Sequence, residues 1–150
     1  MIRVLMICHG NICRSPMAEF VLKDLIQKRH LASKIEVASA ATSTEEIGSA
    51  VHRGTRQKLA EHGISCNGKF AIQVRQEDYA RYDYLIVMDE RNLKNLERII
   101  GPDSEQKVFK LLSFANDTGD IADPWYTGDF ESTYQDVYKG CLGFLSYLGY

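Results

Sequence analysis

The sequence lacks the features that mark several classes of protein. No apolar run approaches the roughly 18 residues of a membrane-spanning helix, and the short apolar stretch before Cys8 has neither the basic leader nor the length of a signal peptide. A formal net charge of −2 gives no whole-molecule reason to expect nucleic acid or an anionic membrane as a partner. We therefore expect a soluble cytoplasmic protein that binds neither membrane nor nucleic acid.

Cysteine and histidine are also too few and too scattered for a disulfide framework or a metal site. The four cysteines are Cys8, Cys13, Cys66 and Cys141, and the four histidines are His9, His30, His52 and His62. Neither set shows the paired spacing of metal ligands. We expect reduced thiols, no metal and no cofactor, in a reducing compartment. Because internal repeats, low-complexity tracts and linkers are absent too, residues 1–150 are expected to form one domain.

Strand candidates alternate with helical patterns along the chain. Strands are predicted over 2–7, 34–40, 84–88 and 106–111, and helices behind Pro16, over 51–61, 77–82 and 90–100, and from Phe130 to Leu148. This alternation predicts an α/β fold, a doubly wound domain whose four-stranded parallel sheet has helices on both faces. Ligands of such sheets bind beyond the carboxyl ends of the strands.

The segment Cys8-His9-Gly10-Asn11-Ile12-Cys13-Arg14-Ser15-Pro16 follows the first predicted strand. Pro16 suits the first position of a helix, so the loop before it directs backbone N–H groups and the positive end of a helix dipole at one point. We expect Gly10 to adopt a positive φ and Asn11 to tolerate a left-handed conformation. The segment therefore predicts an anion site.

Two side chains indicate which anion this site binds and what reaction it can perform. Cys8, beside a helix N-terminus and a guanidinium, is expected to be a thiolate nucleophile with Ser15 as a hydrogen-bond donor. Arg14 presents a planar fork that matches two phosphoryl oxygens. A cysteine and an arginine five residues apart are weak evidence alone, because free cysteines are usually buried and inert. Their place at a strand-to-helix turn favours a site for phosphoryl groups.

Phosphoryl transfer from an oxygen leaving group also needs a proton donor, and Asp123 before Pro124 is the candidate. The alternative, a turn carboxylate, is favoured by the Asp-Pro spacing alone. Trp125 and Tyr126 are candidate walls for an aromatic substrate. From the sequence alone, an interpretation of both as buried core residues is equally good.

Cys8 to Pro16, followed by Met17-Ala18-Glu19, resembles the signature of the low-molecular-weight protein tyrosine phosphatases. The similarity continues through residues 39–43, 84–89 and 123–126, in the family's order. The resemblance implies hydrolysis of phosphotyrosine and small aryl phosphates through a cysteinyl-phosphate, without a metal. The implied partners are phosphotyrosine-containing proteins or peptides, with inorganic phosphate and similar oxyanions as competitive ligands.

The resemblance also assigns roles to residues. Cys8 is the nucleophile, Arg14 binds the phosphoryl oxygens, and Asp123 is the general acid and then the general base. We expect the phosphate and substrate site to comprise His9, Gly10, Asn11, Ile12, Cys13, Ser15, Glu45, Trp125 and Tyr126, of which Trp125 belongs to the pocket rim by resemblance. Ser39 is implied to hydrogen-bond Asn11, and Asp89 to steady the loop, although Asp89 is equally placed to cap the helix that begins near Glu90.

The chain departs from the family at two places. Glu45 occupies the position of an aromatic residue on the pocket wall of animal relatives, and we hypothesise that Glu45 and Glu46 favour basic residues beside the phosphotyrosine. The stretch Ser65 to Phe70 does not clearly reproduce a histidine that helps to brace the loop in the family. Asn67 and Lys69 are the candidates to replace it.

Two other functions use a similar loop. An arsenate reductase passes a disulfide outward through two further cysteines a few residues apart, and this sequence has no such pair. A phosphotyrosine-binding pseudo-enzyme would lack Cys8, Arg14 or Asp123, all of which are present. Cys13 has two interpretations: a small buried side chain, or a partner that forms a reversible disulfide with oxidised Cys8.

Overall fold

A computed structural model describes all residues, 1–150, and contains one four-stranded parallel sheet. The strands are β1 (Ile2–Cys8), β2 (Ile35–Ala41), β3 (Tyr84–Val87) and β4 (Val108–Lys110), in the order β2-β1-β3-β4. The helices are α1 (Arg14–Lys28), α2 (Arg53–Glu61), α3 (Asp78–Arg81), α4 (Glu90–Ile100), α5 (Pro124–Thr127) and α6 (Phe130–Tyr147), with a 3₁₀ helix over Leu111–Ala115. The predicted α/β class and four-stranded parallel sheet are confirmed.

β1 lies inside the sheet and is buried on both faces. Val4 and Met6 belong to the larger apolar cluster, together with residues of α1, α2 and α6. Leu5 and Ile7 point to the opposite face and join a second cluster with Leu96 of α4. Because side chains alternate between the two faces of a strand, burial on both faces requires an uninterrupted apolar run. The helices therefore cover both faces of the sheet, as predicted.

Most differences from the sequence prediction lie at the ends of elements. β2 is displaced by one residue, and β4 is shorter than predicted because the chain enters the 3₁₀ helix at Leu111. The placement of Pro16 at the first helical position is wrong: α1 begins at Arg14, so Pro16 is its third residue. Proline is tolerated there because no N–H in the first helical turn has an intrahelical partner.

Three elements meet at the carboxyl edge of the sheet. β1 ends at Cys8, and the end of β3 is tied to a distant segment by the Ile121 N–H, which donates to the Met88 carbonyl. The start of α2 is tied to the loop after β1 through the Thr55 hydroxyl, which donates to the Cys13 carbonyl. These bonds bring segments distant in sequence together around the loop that follows β1. None of the helices is both long enough and apolar enough to cross a membrane.

The close approach of α6 to the 3₁₀ helix yields a stability test. A Cβ added at Gly143 would lie 2.3 Å from the Phe114 carbonyl oxygen, a backbone atom that cannot rotate away. Helix propensity alone predicts that Gly143→Ala stabilises α6 by about 1 kcal/mol, whereas overpacking costs about 1–3 kcal/mol. These two effects leave a net loss of about 0–2 kcal/mol, and because the clash is with backbone we expect a loss of about 1–2 kcal/mol in urea unfolding. Ser146→Ala, at an exposed position of the same helix, should cause no loss.

Candidate active site

The Cys8 side chain lies at the carboxyl end of β1, with only 3% of the residue exposed. Its sulfur accepts from the backbone N–H of Asn11 at 3.3 Å and of Ser15 at 3.4 Å. The Ser15 hydroxyl lies 3.0 Å from the same sulfur. Hydrogen bonds directed at a buried sulfur favour its anionic form.

The N-terminus of α1 differs from those of the other helices longer than one turn. A side chain caps α2, α4 and α6, whereas no side chain caps α1. In the preceding loop, the N–H groups of His9, Gly10, Ile12, Cys13 and Arg14 donate to no protein acceptor. Free N–H groups at the positive end of a helix dipole form an anion site. A phosphoryl group is an anion that these donors can bind.

Asn11 provides the turn of this loop. Its φ is 58°, the left-handed conformation that asparagine tolerates. Gly10, by contrast, does not have the positive φ that we expected; the left-handed position falls one residue later. The Asn11 amide donates to Ser15 Oγ at 2.8 Å and to Ser39 Oγ at 2.9 Å, and its oxygen accepts from the Ile72 N–H. Three side-chain bonds thus hold the left-handed residue.

The Arg14 guanidinium is buried, with 3% of its side chain exposed. One terminal nitrogen, Nη1, donates to Asp89 Oδ2 at 2.6 Å and to the Ile121 carbonyl at 2.9 Å. The other, Nη2, lies 3.4 Å from Asp123 Oδ2. Nη1 thus anchors the group, while Nη2 faces the pocket and the candidate acid.

Asp89 makes both of the contacts that the sequence left as alternatives. Its Oδ2 holds Arg14, while its Oδ1 accepts from the Asn92 N–H at 2.7 Å and caps α4. The Asp89 N–H in turn donates to the Asn92 side chain, and this second hydrogen bond completes a capping box. One carboxylate therefore joins the start of α4 to the arginine of the site.

Asp123 is both a turn residue and a member of the pocket. Its Oδ1 accepts from the Trp125 N–H at 3.1 Å and caps the short helix α5, which is not among the helices predicted from the sequence. Its Oδ2 faces Arg14, and the residue lines the same pocket as Cys8. A carboxyl group on a capped, proline-stiffened turn is held in a restricted position.

The pocket brings together most of the predicted site. Its lining residues are Cys8, His9, Gly10, Ile12, Cys13, Arg14, Glu45, Glu46, Asp123, Trp125 and Tyr126. Trp125 and Tyr126 are 56% and 79% exposed, so the alternative that they are core residues is wrong. On the wall formed by the segment after β2, Glu45 Oε2 lies 2.7 Å from His9 Nε2. Asn11, Ser15, Ser39 and Asp89 lie behind this lining and contact it through hydrogen bonds.

Glu19, to which the sequence analysis gave no role, and the candidate brace Lys69 also support the loop. The Glu19 carboxylate of α1 accepts from the Ser39 hydroxyl beneath the loop. The Lys69 ammonium, one of the two candidates for the loop brace, donates to the Ser39 carbonyl at 2.7 Å. Glu19 lies one helical turn after Ser15, on the same face of α1. A carboxylate on the helix face that carries a residue of the loop is the sequence signal that could have identified Glu19 as a support of the loop.

The remaining cysteines are not arranged as further nucleophiles. Burial raises the pKa of the Cys13 thiol to about 12, and the charges of Cys8 and Asp123 act in the same direction. Burial likewise raises the pKa values of Cys66 and Cys141. These three sulfurs are therefore protonated at neutral pH. No group of three or more histidine, cysteine or acidic side chains is arranged to hold a metal ion.

The double role of Asp89 predicts two separable effects. Asp89→Ala removes both bonds, whereas Asp89→Asn keeps an oxygen that can cap α4. Both variants should lower kcat/KM for para-nitrophenyl phosphate by about 10- to 100-fold, since a hydrogen bond to a charged group is worth about 1.5–3 kcal/mol. Urea unfolding should show the alanine variant to be less stable than the asparagine variant by about 1 kcal/mol, the usual worth of a cap. Equal stabilities would contradict the capping role.

Comparison with known proteins identifies the family of this chain. The family model for low molecular weight phosphotyrosine protein phosphatase matches residues 3–149. The chain is 41% identical over 143 residues to the low molecular weight protein-tyrosine-phosphatase YfkJ of Bacillus subtilis, covering 94% of this chain and 92% of YfkJ. It is 36% identical over 149 residues to PtpA of Staphylococcus epidermidis, covering 99% of this chain and 94% of PtpA.

Solved structures show the same fold. The crystal structure of YfkJ superposes with a TM-score of 0.95 at 40% identity, over 99% of this chain and 95% of YfkJ. The structure of an arginine phosphatase from Drosophila superposes with a TM-score of 0.89 at 30% identity, over 100% of this chain and 99% of that protein. The chain belongs to the low molecular weight protein tyrosine phosphatase family of phosphoric monoester hydrolases.

Proposed function

We propose that residues 1–150 act as one phosphatase domain that hydrolyses phosphotyrosine and small aryl phosphates through a cysteinyl-phosphate. The observation that supports this most strongly is the convergence of Cys8, Arg14 and Asp123 on one pocket. There a buried sulfur has three hydrogen-bonding neighbours, and a guanidinium lies next to a carboxyl group. These are a nucleophile, a phosphoryl-binding cation and a proton donor.

In the first step, the Cys8 sulfur attacks phosphorus in line with the leaving oxygen. The S–P bond forms as the bond from phosphorus to the aryl oxygen breaks, and protonated Asp123 gives its proton to that oxygen. Arg14 and the free N–H groups of the loop stabilise the equatorial oxygens in the transition state. These donors supply the positive charge that metal ions supply in many other phosphoryl-transfer sites.

In the second step, water attacks the phosphorus of the cysteinyl-phosphate. Asp123, now ionised, takes one proton from that water, the S–P bond breaks, and inorganic phosphate leaves with the thiolate restored. Inorganic phosphate and similar oxyanions therefore compete with substrate for the same donors. The Arg14–Asp123 contact keeps the acid-base group next to the reacting oxygens.

The depth of the pocket supports an aromatic substrate. Cys8 lies at the base of the pocket, while Trp125 and Tyr126 stand exposed at its rim. A phenyl phosphate bound at the sulfur extends further towards this rim than the shorter side chain of phosphoserine, and its ring can contact the exposed aromatic residues. The fully buried Cys141 and the protonated Cys66 offer no route for the outward disulfide relay of an arsenate reductase.

Removal of the proposed acid tests this mechanism. Asp123→Ala should lower kcat by about 10²- to 10⁴-fold, the usual contribution of a general acid. The loss should be smaller for para-nitrophenyl phosphate than for phenyl phosphate, because nitrophenolate leaves more readily without a proton. Asp120→Asn, an exposed carboxylate of the same segment, is the matched control and should retain normal kcat. A loss of less than threefold for both substrates would assign the acid role elsewhere.

Glu45 and Glu46 line the same pocket as Trp125. Exposed ion pairs contribute about 0.2–1 kcal/mol each, so a phosphopeptide with lysine flanks should show a kcat/KM about 2- to 5-fold higher than one with glutamate flanks. The preference should fall in 0.5 M salt and in Glu45→Gln. Glu97→Gln on α4, which makes the same change in net charge away from the pocket, should keep it. Equal kcat/KM values at low salt would contradict this role of the acidic rim.

Phosphoarginine belongs in the same assay. One structural neighbour is named an arginine phosphatase, and carboxylates at the rim would also attract a guanidinium. The exposed aromatic rim favours phosphotyrosine, so kcat/KM should be higher for a phosphotyrosine peptide than for the matched phosphoarginine peptide. The reverse order would replace the proposed substrate while leaving the mechanism of Cys8 unchanged.

A further inference from the structure

The Trp125 indole lines the pocket although its own helix gives it little support. Helix α5 has four residues, too few to be stable as an isolated helix, and Trp125 is half-exposed. Contacts outside α5 must therefore fix the direction of the side chain. The one aromatic ring that contacts the indole is that of His52, in a T-shaped arrangement with centroids 5.6 Å apart and an interplanar angle of 78°.

Three contacts fix His52 itself. Its Nδ1 accepts from the Gly54 N–H at 3.0 Å, and this bond caps α2. Its backbone N–H donates to the Ile12 carbonyl at 2.8 Å. Its ring stacks on that of Phe130, the first residue of α6, with centroids 5.3 Å apart and planes inclined by 17°. His52 is therefore held by α2 and α6 and presents a fixed ring to the indole on α5.

The stack of His52 on Phe130 depends on a glycine. A Cβ added at Gly54 would lie 2.3 Å from Phe130 Cζ, so the absence of a side chain at Gly54 leaves the room that the phenyl ring occupies. Phe130 also packs against the small apolar cluster of Ile12, Cys13 and Ala71. Because the phenyl ring is anchored in this way, the imidazole that stacks on it has a defined orientation.

The contact between His52 and Trp125 has the geometry that aromatic rings prefer. Because Nδ1 accepts a hydrogen bond, the neutral imidazole carries its proton on Nε2. A T-shaped pair of rings favours one arrangement of the two side chains over others by about 2- to 10-fold. That preference is large enough to decide where a half-exposed indole spends most of its time.

We propose that His52 is a positioning residue for substrate selection, which holds the Trp125 indole at the pocket rim where it contacts the aromatic ring of the substrate. This role rests on the proposed function, in which the substrate is an aryl phosphate. His52 is not among the residues that line the pocket. It therefore acts on the substrate through Trp125 alone.

The choice of substrate separates this role from general damage to the site. Loss of the contact between the indole and the substrate ring should lower kcat/KM for aryl phosphates. Acetyl phosphate has no ring, so its kcat/KM should not change. Inhibition by inorganic phosphate, which binds only the donors of the loop, should not change either. Hydrolysis of the cysteinyl-phosphate follows departure of the ring and should keep its rate. Displacement of Cys8, Arg14 or Asp123 would alter all of these.

The experiment compares variants that separate the ring of His52 from its cap. His52→Asn keeps an oxygen that can cap α2 but removes the ring, and should lower kcat/KM for para-nitrophenyl phosphate and a phosphotyrosine peptide by about 2- to 10-fold. His52→Phe loses the cap but keeps a ring, so its kinetic constants should stay close to those of the wild type even though the protein is less stable. His62→Asn is the matched control, since it removes a stack on Tyr134 at the other end of α2, and should change none of the constants.

Motion of the indole is a readout that does not depend on turnover. The heteronuclear NOE of the Trp125 indole N–H, which reports ps–ns motion, should fall in His52→Asn and keep its wild-type value in His52→Phe. An unchanged NOE in His52→Asn would overturn the proposal, as would equal losses of kcat/KM for aryl and acetyl phosphates. A wild type that hydrolyses neither aryl substrate, with the NOE falling as expected, would overturn the proposed function but not the positioning of Trp125 by His52.

Discussion

The hydrogen bonds that converge on the Cys8 sulfur are the constraint on which the rest of the site depends. They exist because a strand buried on both faces ends at Cys8 while α1 begins six residues later, so the connecting loop must curve around the sulfur. That curvature requires a left-handed residue at Asn11 and a network of side chains to hold it. The positions of Arg14 and Ser15 follow directly, since both belong to the first turn of α1.

The parts of the molecule that the sequence predicts well are those with local causes. The apolar run of β1, the helix over Glu90–Ile100 and the strand-to-helix turn at Cys8 follow from patterns within a few residues. Element ends were less accurate, as Pro16 shows, because several positions of a first helical turn accept proline equally. The positive φ expected at Gly10 falls instead on Asn11, because its side chain donates to Ser15 and Ser39 and accepts from the Ile72 N–H, which stabilises asparagine there.

Contacts between distant segments could not be derived from any local pattern. Asp89 and Arg14 are separated by 75 positions, and the Ile121 carbonyl lies 107 positions from the arginine it holds. The support that Lys69 gives the loop requires two chain segments distant in sequence to meet in the fold. The residues next to Lys69 in the sequence do not predict that meeting. For the same reason, the double use of Asp89, as helix cap and as arginine anchor, couples folding of the α4 region to the geometry of the pocket. A substitution of Asp89 therefore changes both the free energy of unfolding and the geometry of the pocket.

The position of Trp125 gives the molecule an internal optical probe. It is the chain's one tryptophan, stands half-exposed at the pocket rim, and makes a T-shaped contact with the His52 ring at a centroid distance of 5.6 Å. Indole emission depends on solvent contact and on neighbouring groups, so a ligand that covers this rim changes the fluorescence of the whole protein. Occupancy of the pocket can therefore be followed in the unlabelled chain, without a chromogenic substrate.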